Sequence, residues 1–243
     1  MPTIRIGQRA ATEVDPRLGP ETVLEALAPF LSPRRQRRIA RVVEQRLLSV
    51  TVLLEHPYDP HNAAAVLRTC EGLGLLTAHV VPGEAGFRLS ARVTQAADKW
   101  IDVYLHADTR AALGYLRSAG YRLLAATPPP LGETPNRAAL AGDASQPVAL
   151  VFGNEHAGLT REGLEACDGR FHLPMFGFTE SYNLSVSAAL ALASLVDARR
   201  AVLGAGGDLS RAAKLRLRAA YYARSVPRAA GLVQRHLAAR DPR

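Results

Sequence analysis

A chain of 243 residues, 48% hydrophobic and 21% charged, is long enough for a full core and has the composition of an ordinary globular protein. No apolar run approaches the roughly 20 residues of a membrane-spanning helix, and the first thirty residues carry scattered charge and proline instead of a secretory h-region, so a cytoplasmic protein is expected. The net charge of +8 is uneven: residues 1–49 hold nine Arg against five acids, residues 50–196 ten basic against fourteen acidic, and residues 197–243 eleven basic against three acidic.

Residues 1–20 have no period and predict an extended or mobile arm. Pro20-Glu21 opens a helix with Val23, Leu24, Leu27, Phe30 and Leu31 on one stripe. Ser32-Pro33 reads as an N-cap with proline at N1, starting a helix to Leu48 that carries Arg34, Arg35, Arg37, Arg38 and Arg41. From residue 50, short apolar runs alternate with helical stretches. The predicted strands are Val50 to Leu54, Ala78 to Val81, Ile101 to Leu105, Arg122 to Ala126, Val148 to Phe152 and Phe171 to Leu173. Continuous apolar strands with helices between them predict an α/β fold, a mostly parallel sheet covered by helices on both faces. A long helix follows Asn183 to about Leu203 and ends at Gly204-Ala205-Gly206-Gly207. Asp208 or Ser210 caps another helix bearing Arg211, Lys214, Arg216 and Arg218, with Tyr221 and Tyr222 behind them, and Pro227 starts a last one with Arg228, Arg235 and Arg240. The expected division is an N-terminal arm and basic helical extension over 1–49, a central domain over 50–203, and a basic C-terminal helical extension over 204–243.

Basic flanks around an acidic centre fit a protein whose ends grip a polyanion, with a solvated helical surface in an Arg-rich chain as the alternative. Cys70 and Cys167 stand alone, no CxxC or HExxH occurs, and no metal site is predicted. Both cysteines read as buried small hydrophobes. Neither GxxxxGK[ST] nor a strand-following GxGxxG is present, which disfavours common nucleotide cofactors.

Three segments concentrate polar and backbone-exposing residues where strands end or helices begin. In Asn62-Ala63-Ala64-Ala65-Val66-Leu67-Arg68, Asn62 reads as a helix N-cap or as a site residue. Arg68, six residues on, interrupts an apolar stripe and calls for a carboxylate or a phosphate, a surface pair with Glu71 being the alternative. Gly153-Asn154-Glu155-His156-Ala157-Gly158-Leu159 follows a strand directly: Gly153 allows close backbone approach, and Glu155 is presented at the strand's carboxyl edge. Leu173-Pro174-Met175-Phe176-Gly177 leads to Ser181-Tyr182-Asn183-Leu184-Ser185-Val186-Ser187, where Ser181 and Asn183 precede a helix rich in small residues; capping alone is a possible role for both.

In order, these segments resemble the three motifs of the SPOUT-class RNA 2'-O-methyltransferases of the SpoU (TrmH-like) branch, over about residues 50–200. Within it, Glu55-His56-Pro57 and Ala97-Asp98-Lys99-Trp100 look most like the enzymes that methylate guanosine 18 of tRNA, as do the basic flanks. The resemblance implies a C-terminal trefoil knot and a homodimer with its site near the subunit interface. It places Asn62, Arg68, Glu155, Ser181 and Asn183 in catalysis, and Thr127, Gly153, Leu173, Tyr182 and Leu184 around S-adenosyl-L-methionine. Arg68 would orient the RNA phosphate and lower the 2'-hydroxyl pKa, and could serve a cofactor bound in the other chain. Arg34, Arg35, Arg38, Lys214, Arg216 and Arg218 are the RNA-binding candidates, and tRNA is the expected partner. Tyr182 departs from the family's usual aliphatic residue, and the N-terminal arm is longer than typical. A relative acting on ribosomal RNA and a non-catalytic RNA-binding protein of the same fold are the alternatives.

Overall fold

The computed structural model describes residues 4–6, 14–15, 17–83, 86–87, 97–128 and 143–240. In chain order they form β1 (Ile4–Ile6), α1 (Pro20–Leu27), α2 (Pro33–Glu44), β2 (Val50–Glu55), α3 (Pro60–Leu73), β3 (Thr77–Val81), β4 (Asp102–Leu105), α4 (Thr109–Ser118), β5 (Arg122–Ala126), β6 (Val148–Phe152), α5 (Arg161–Glu165), β7 (Gly169–Phe171), α6 (Leu184–Leu203), α7 (Arg211–Ser225) and α8 (Ala229–Arg240). They divide into two compact units, residues 4–6 with 47–205 and residues 14–46 with 206–240.

The first unit is built on a sheet ordered β1-β4-β3-β2-β6-β5-β7. All neighbours are parallel except the edge pair β1 and β4. The central pair β2 and β6 runs from Val50 opposite Val148 to Leu54 opposite Phe152. Both strands are buried along their length, which explains their unbroken apolar sequence. On one face Val50, Val52, Leu54, Val148, Leu150 and Phe152 share a core with Val66, Leu67 and Cys70 of α3 and Leu192, Leu195 and Val196 of α6. On the other, Leu53, Ala149 and Val151 pack with Leu113 and Leu116 of α4. Each fully buried leucine contributes about 2 kcal/mol relative to exposure. Burial pushes the Cys70 thiol up to about 12, leaving it an inert core group. Cys167 is only half-buried.

Local chemistry sets the helix ends. Asp59 caps α3 by accepting from the His61 N–H at 2.8 Å, Pro60 sits at N1, and Gly74 closes the helix in the left-handed region. Asn62 is therefore inside the first turn, and its N-cap reading is corrected to Asp59. The Glu55 carboxylate, buried at the end of β2, accepts from the Thr109 hydroxyl of α4 at 2.5 Å and from the Thr160 N–H and hydroxyl at 2.8 and 2.7 Å.

In the second unit α1 packs against α7 and α8, and α2 against α7. Ser32 caps α2 with Pro33 at N1, as its sequence predicts, but the helix ends at Glu44 instead of Leu48. Val23, Leu27, Ile39, Val43, Tyr221, Tyr222 and Val233 fill the interior. Arg46 is almost wholly buried, its guanidinium 5.6 Å from the centre of the Tyr221 ring. At the other end of the chain order, the N-terminal segment holds an edge strand, Ile4–Ile6, that no periodicity announces.

Candidate active site

From β2 the chain builds outward through β3 and β4, whereas β6 lies on the other side of β2 with β5 and β7 beyond it. Strand order reverses there, and such a switch point opens a crevice outside the carboxyl ends of the strands. A cavity of about 700 Å³ occupies this place. Its walls come from the segments after β2, β5, β6 and β7 and from the start of α6.

Glu155 organises the polar side. Its carboxylate accepts from the Tyr58 N–H at 2.7 Å, the Asp59 N–H at 3.2 Å and the Asn62 side-chain amide at 3.0 Å. The Asn62 side-chain oxygen accepts in turn from the Asn183 amide at 2.9 Å. Asn183 uses its own oxygen to accept from the Ser185 N–H at 2.8 Å and the Ser185 hydroxyl at 2.7 Å. Capping α6 and joining the site are thus compatible roles for one residue, because the amide oxygen does the first and the amide nitrogen the second. One hydrogen-bonded chain thereby links residues 93 and 121 positions apart in sequence. Burial raises the Glu155 pKa, but the Asn62 amide and the backbone N–H groups of Tyr58 and Asp59 outweigh it and hold the carboxyl below its usual range.

The loop after β6 is compact enough to exclude any side chain at Gly153: a Cβ there would lie 2.2 Å from the Gly158 carbonyl carbon and the Leu159 nitrogen. Asn154 and Gly158 bridge as an antiparallel pair, and the Asn154 amide donates to the His56 carbonyl at 2.7 Å. On the facing side Phe152, Phe171, Leu173 and Leu184 supply an apolar wall, and the Tyr182 hydroxyl donates to the Pro174 carbonyl at 3.2 Å. The Thr127 hydroxyl and carbonyl both lie 2.9 Å from Nδ1 of the buried His172, which fixes the end of β5.

Of the ten residues expected in catalysis or cofactor binding, Asn62, Glu155, Ser181, Asn183, Thr127, Gly153, Leu173, Tyr182 and Leu184 line this cavity. Arg68 does not. It is exposed on α3, about 120° around the helix from Asn62, and its side chain makes no hydrogen bond or ion pair among the described residues, so it does not interrupt a buried stripe and is not a partner of Glu71. In the second unit Arg34, Arg38 and Arg216 are exposed and Arg35 is half-buried. Lys214 pairs with Glu44 at 2.5 Å, and Arg218 lies over the Tyr222 ring and donates to its hydroxyl at 3.2 Å. Sequence reasoning missed Tyr58, Asp59 and His156 as cavity residues, and His172 as the brace behind Thr127. The Asp59-Pro60 pair carried a helix-start signal that could have located the first two. Among the described residues there is no cluster of metal-ligating side chains and no helix long and apolar enough to cross a membrane.

Comparison with known proteins gives a consistent result. Residues 49–193 match the SpoU rRNA Methylase family. A tRNA (guanosine(18)-2'-O)-methyltransferase of Thermus thermophilus is 36% identical over 172 residues, covering 71% of this chain and 85% of that protein. The crystal structure of the Aquifex aeolicus TrmH/SpoU tRNA modifying enzyme superposes with a TM-score of 0.67 at 25% identity, over 77% of this chain and 95% of that one. An AdoMet-bound rRNA methyltransferase from Sinorhizobium meliloti superposes with a TM-score of 0.54 at 25% identity, over 68% and 60% of the two chains. With its three motifs gathered at one switch point and these relatives in hand, the chain belongs to the SpoU methylase family.

Proposed function

We propose that this protein transfers a methyl group from S-adenosyl-L-methionine to the ribose 2'-hydroxyl of guanosine 18 in the D-loop of tRNA. The observation that carries the reading is the convergence of three distant segments on one cavity through the Asn183, Asn62 and Glu155 chain. The choice of tRNA and of position follows the Thermus and Aquifex relatives.

The residues present suit the cofactor. A cavity of about 700 Å³ falls within the range of small-molecule sites, with an apolar wall for an aromatic ring and polar loop ends for the rest. Thr127, Gly153, Leu173, Tyr182 and Leu184 are the residues that would hold it. When bound, the cofactor supplies an electrophilic methyl group. The chain's part is to bring a ribose hydroxyl into line with that methyl, and well-oriented reactants reach effective molarities on the order of 10⁵–10⁸ M. Asn62 is fixed on both sides by Glu155 and Asn183, and Ser181 stands exposed on the same wall. Glu155 is a poor general base: hydrogen bonds to its charged form hold it ionised, and an effective base has a pKa near the working pH. Its role is positioning. Arg68, exposed and far around α3, is suited to orient an RNA phosphate at a site completed by a second subunit, lowering the 2'-hydroxyl pKa.

The same reading includes the homodimer, the C-terminal trefoil knot, a cytoplasmic setting, and a central catalytic domain flanked by basic helical extensions. Arg34, Arg38 and Arg216 would meet tRNA phosphates, with Arg35, half-buried, and Lys214 and Arg218, each paired within its unit, at the margin. A second reading, methylation of ribosomal RNA, draws on the Sinorhizobium neighbour. Incubation with labelled S-adenosyl-L-methionine and unmodified transcripts separates them: label in tRNA supports the proposal, label only in ribosomal RNA supports the second reading, and no label in either supports an RNA-binding protein.

A further inference from the structure

The polar groups of the loop after β6 converge on the turn that follows β2. The Asn154 amide donates to the His56 carbonyl at 2.7 Å, and the Glu155 carboxylate accepts the Tyr58 and Asp59 N–H groups at 2.7 and 3.2 Å. Between them they hold His56 at a φ of +49°, a left-handed conformation that non-glycine residues seldom adopt. Two loops about a hundred residues apart are thereby locked together around a strained turn. What the turn presents is Tyr58, which keeps 69% of its surface exposed. Its ring stands edge-to-face against His156, with centroids 4.7 Å apart and planes at 76°, and both residues line the cavity beside Asn62. An aromatic side chain so exposed contributes little to the core, so packing does not account for its placement at the cavity mouth.

Sequence-specific recognition of RNA mostly targets loop nucleotides whose unpaired bases are splayed out and stacked on aromatic rings. We propose that Tyr58, backed by His156, is a stacking platform for the base of the nucleotide that receives the methyl. Glu155 then positions both sides of the reaction, holding Asn62 through its amide and Tyr58 through its N–H. The proposal rests on the reading that an RNA ribose is the acceptor.

The test is single-turnover methyl transfer by the full chain to tRNA transcripts, with a matched transcript that keeps the target ribose but lacks its base. Loss of stacking onto one base corresponds to a factor between about 5 and 150. Tyr58→Ala should lower kcat/KM by that factor on the intact transcript, Tyr58→Phe should stay near wild type, and His156→Ala should show a smaller loss. Cofactor affinity, measured by calorimetry, should be unchanged in all three. On the transcript without the base, wild type and Tyr58→Ala should react alike. An equal deficit on both transcripts, or no deficit on the intact one, overturns the platform while leaving the methyltransferase reading standing. Failure of the wild type to methylate any RNA overturns that reading, and the platform with it.

Discussion

Glu155 carries three hydrogen bonds on one carboxylate, two of them from backbone N–H groups. Glu155→Gln keeps the shape but replaces an acceptor oxygen by a donor facing donors, so the turn at Tyr58 loses a bond whichever way the amide lies. Methyl transfer should fall by about tenfold or more, each charge-assisted bond contributing about 1.5–3 kcal/mol. Single-turnover assays check this. Because the folded Glu155 pKa lies below its usual value, the arrangement is present above that value and is lost only as the pH falls through the lower, folded one; the turn is secure at neutral pH. For Arg68 the expectation differs: Arg68→Lys should leave the melting temperature unchanged, since the side chain is exposed, yet lower turnover by about tenfold or more, because an ammonium does not reproduce a bidentate guanidinium. Unaltered turnover would remove Arg68 from the mechanism. At this scale spacing alone left Asn62 and Asn183 readable as helix caps and Glu155 as a loop residue. It was the family resemblance, carried by motifs that are local in sequence, that picked out Asn62, Glu155, Ser181 and Asn183, which line one cavity. The sequence could not pair Asn62 with Glu155 or Asn183, which depends on the sheet order, nor single out Tyr58 and His156, which read as ordinary loop residues.

Between elements, two buried polar groups tie the sheet to its helices. Glu55 joins the end of β2 to Thr109 at the start of α4 and to Thr160, which caps α5, and it leaves so little room that a Cβ on Gly163 would sit 2.9 Å from its Oε1. Glu55→Ala strands the Thr160 N–H and two hydroxyls and should cost about 3 kcal/mol or more, measurable by urea unfolding. The second tie is His79 in β3, whose Nδ1 lies 2.9 Å from Nε2 of His106, with Tyr104 stacked on His79 and Tyr115 of α4 tilted against both rings. Burial, and then the neighbouring His106, lower the His79 pKa to about 3; burial also lowers His106, against the opposing pull of Asp108. The unfolded chain therefore binds protons that the folded one refuses. Stability is full above about pH 6.5 and declines as the pH falls from there toward 3, at about 1.4 kcal/mol per pH unit for a single such histidine. Melting curves between pH 7.5 and 5 should show the decline, and His79→Leu should flatten it. Most elements were legible because apolar period and capping signals are local: β5 and β6 match their predicted spans, and α6 ends at Leu203. Strand β7 lies two residues earlier than its apolar run, at Gly169–Phe171, because its register is fixed by pairing with β5, which no local pattern encodes.

At the scale of the whole molecule, a net charge of +8 is concentrated in the terminal segments, which pack together as one unit through α1, α2, α7 and α8. The sequence showed their charge and helical period but not this pairing of the two ends. If their exposed arginines meet phosphates, RNA affinity should fall steeply with salt, and Arg34→Ala, Arg38→Ala or Arg216→Ala should each reduce the slope of log K against log salt by about 1 without altering cofactor binding. Filter binding across a salt series reads this directly. The central claim is the reaction itself, and its most direct test locates the transferred methyl: an unmodified tRNA transcript is incubated with the protein and S-adenosyl-L-methionine, digested with nucleases, and mapped by mass spectrometry. The account predicts a single 2'-O-methylguanosine at position 18 of the D-loop; a methyl on a base, or on a ribose elsewhere in the tRNA, would contradict it.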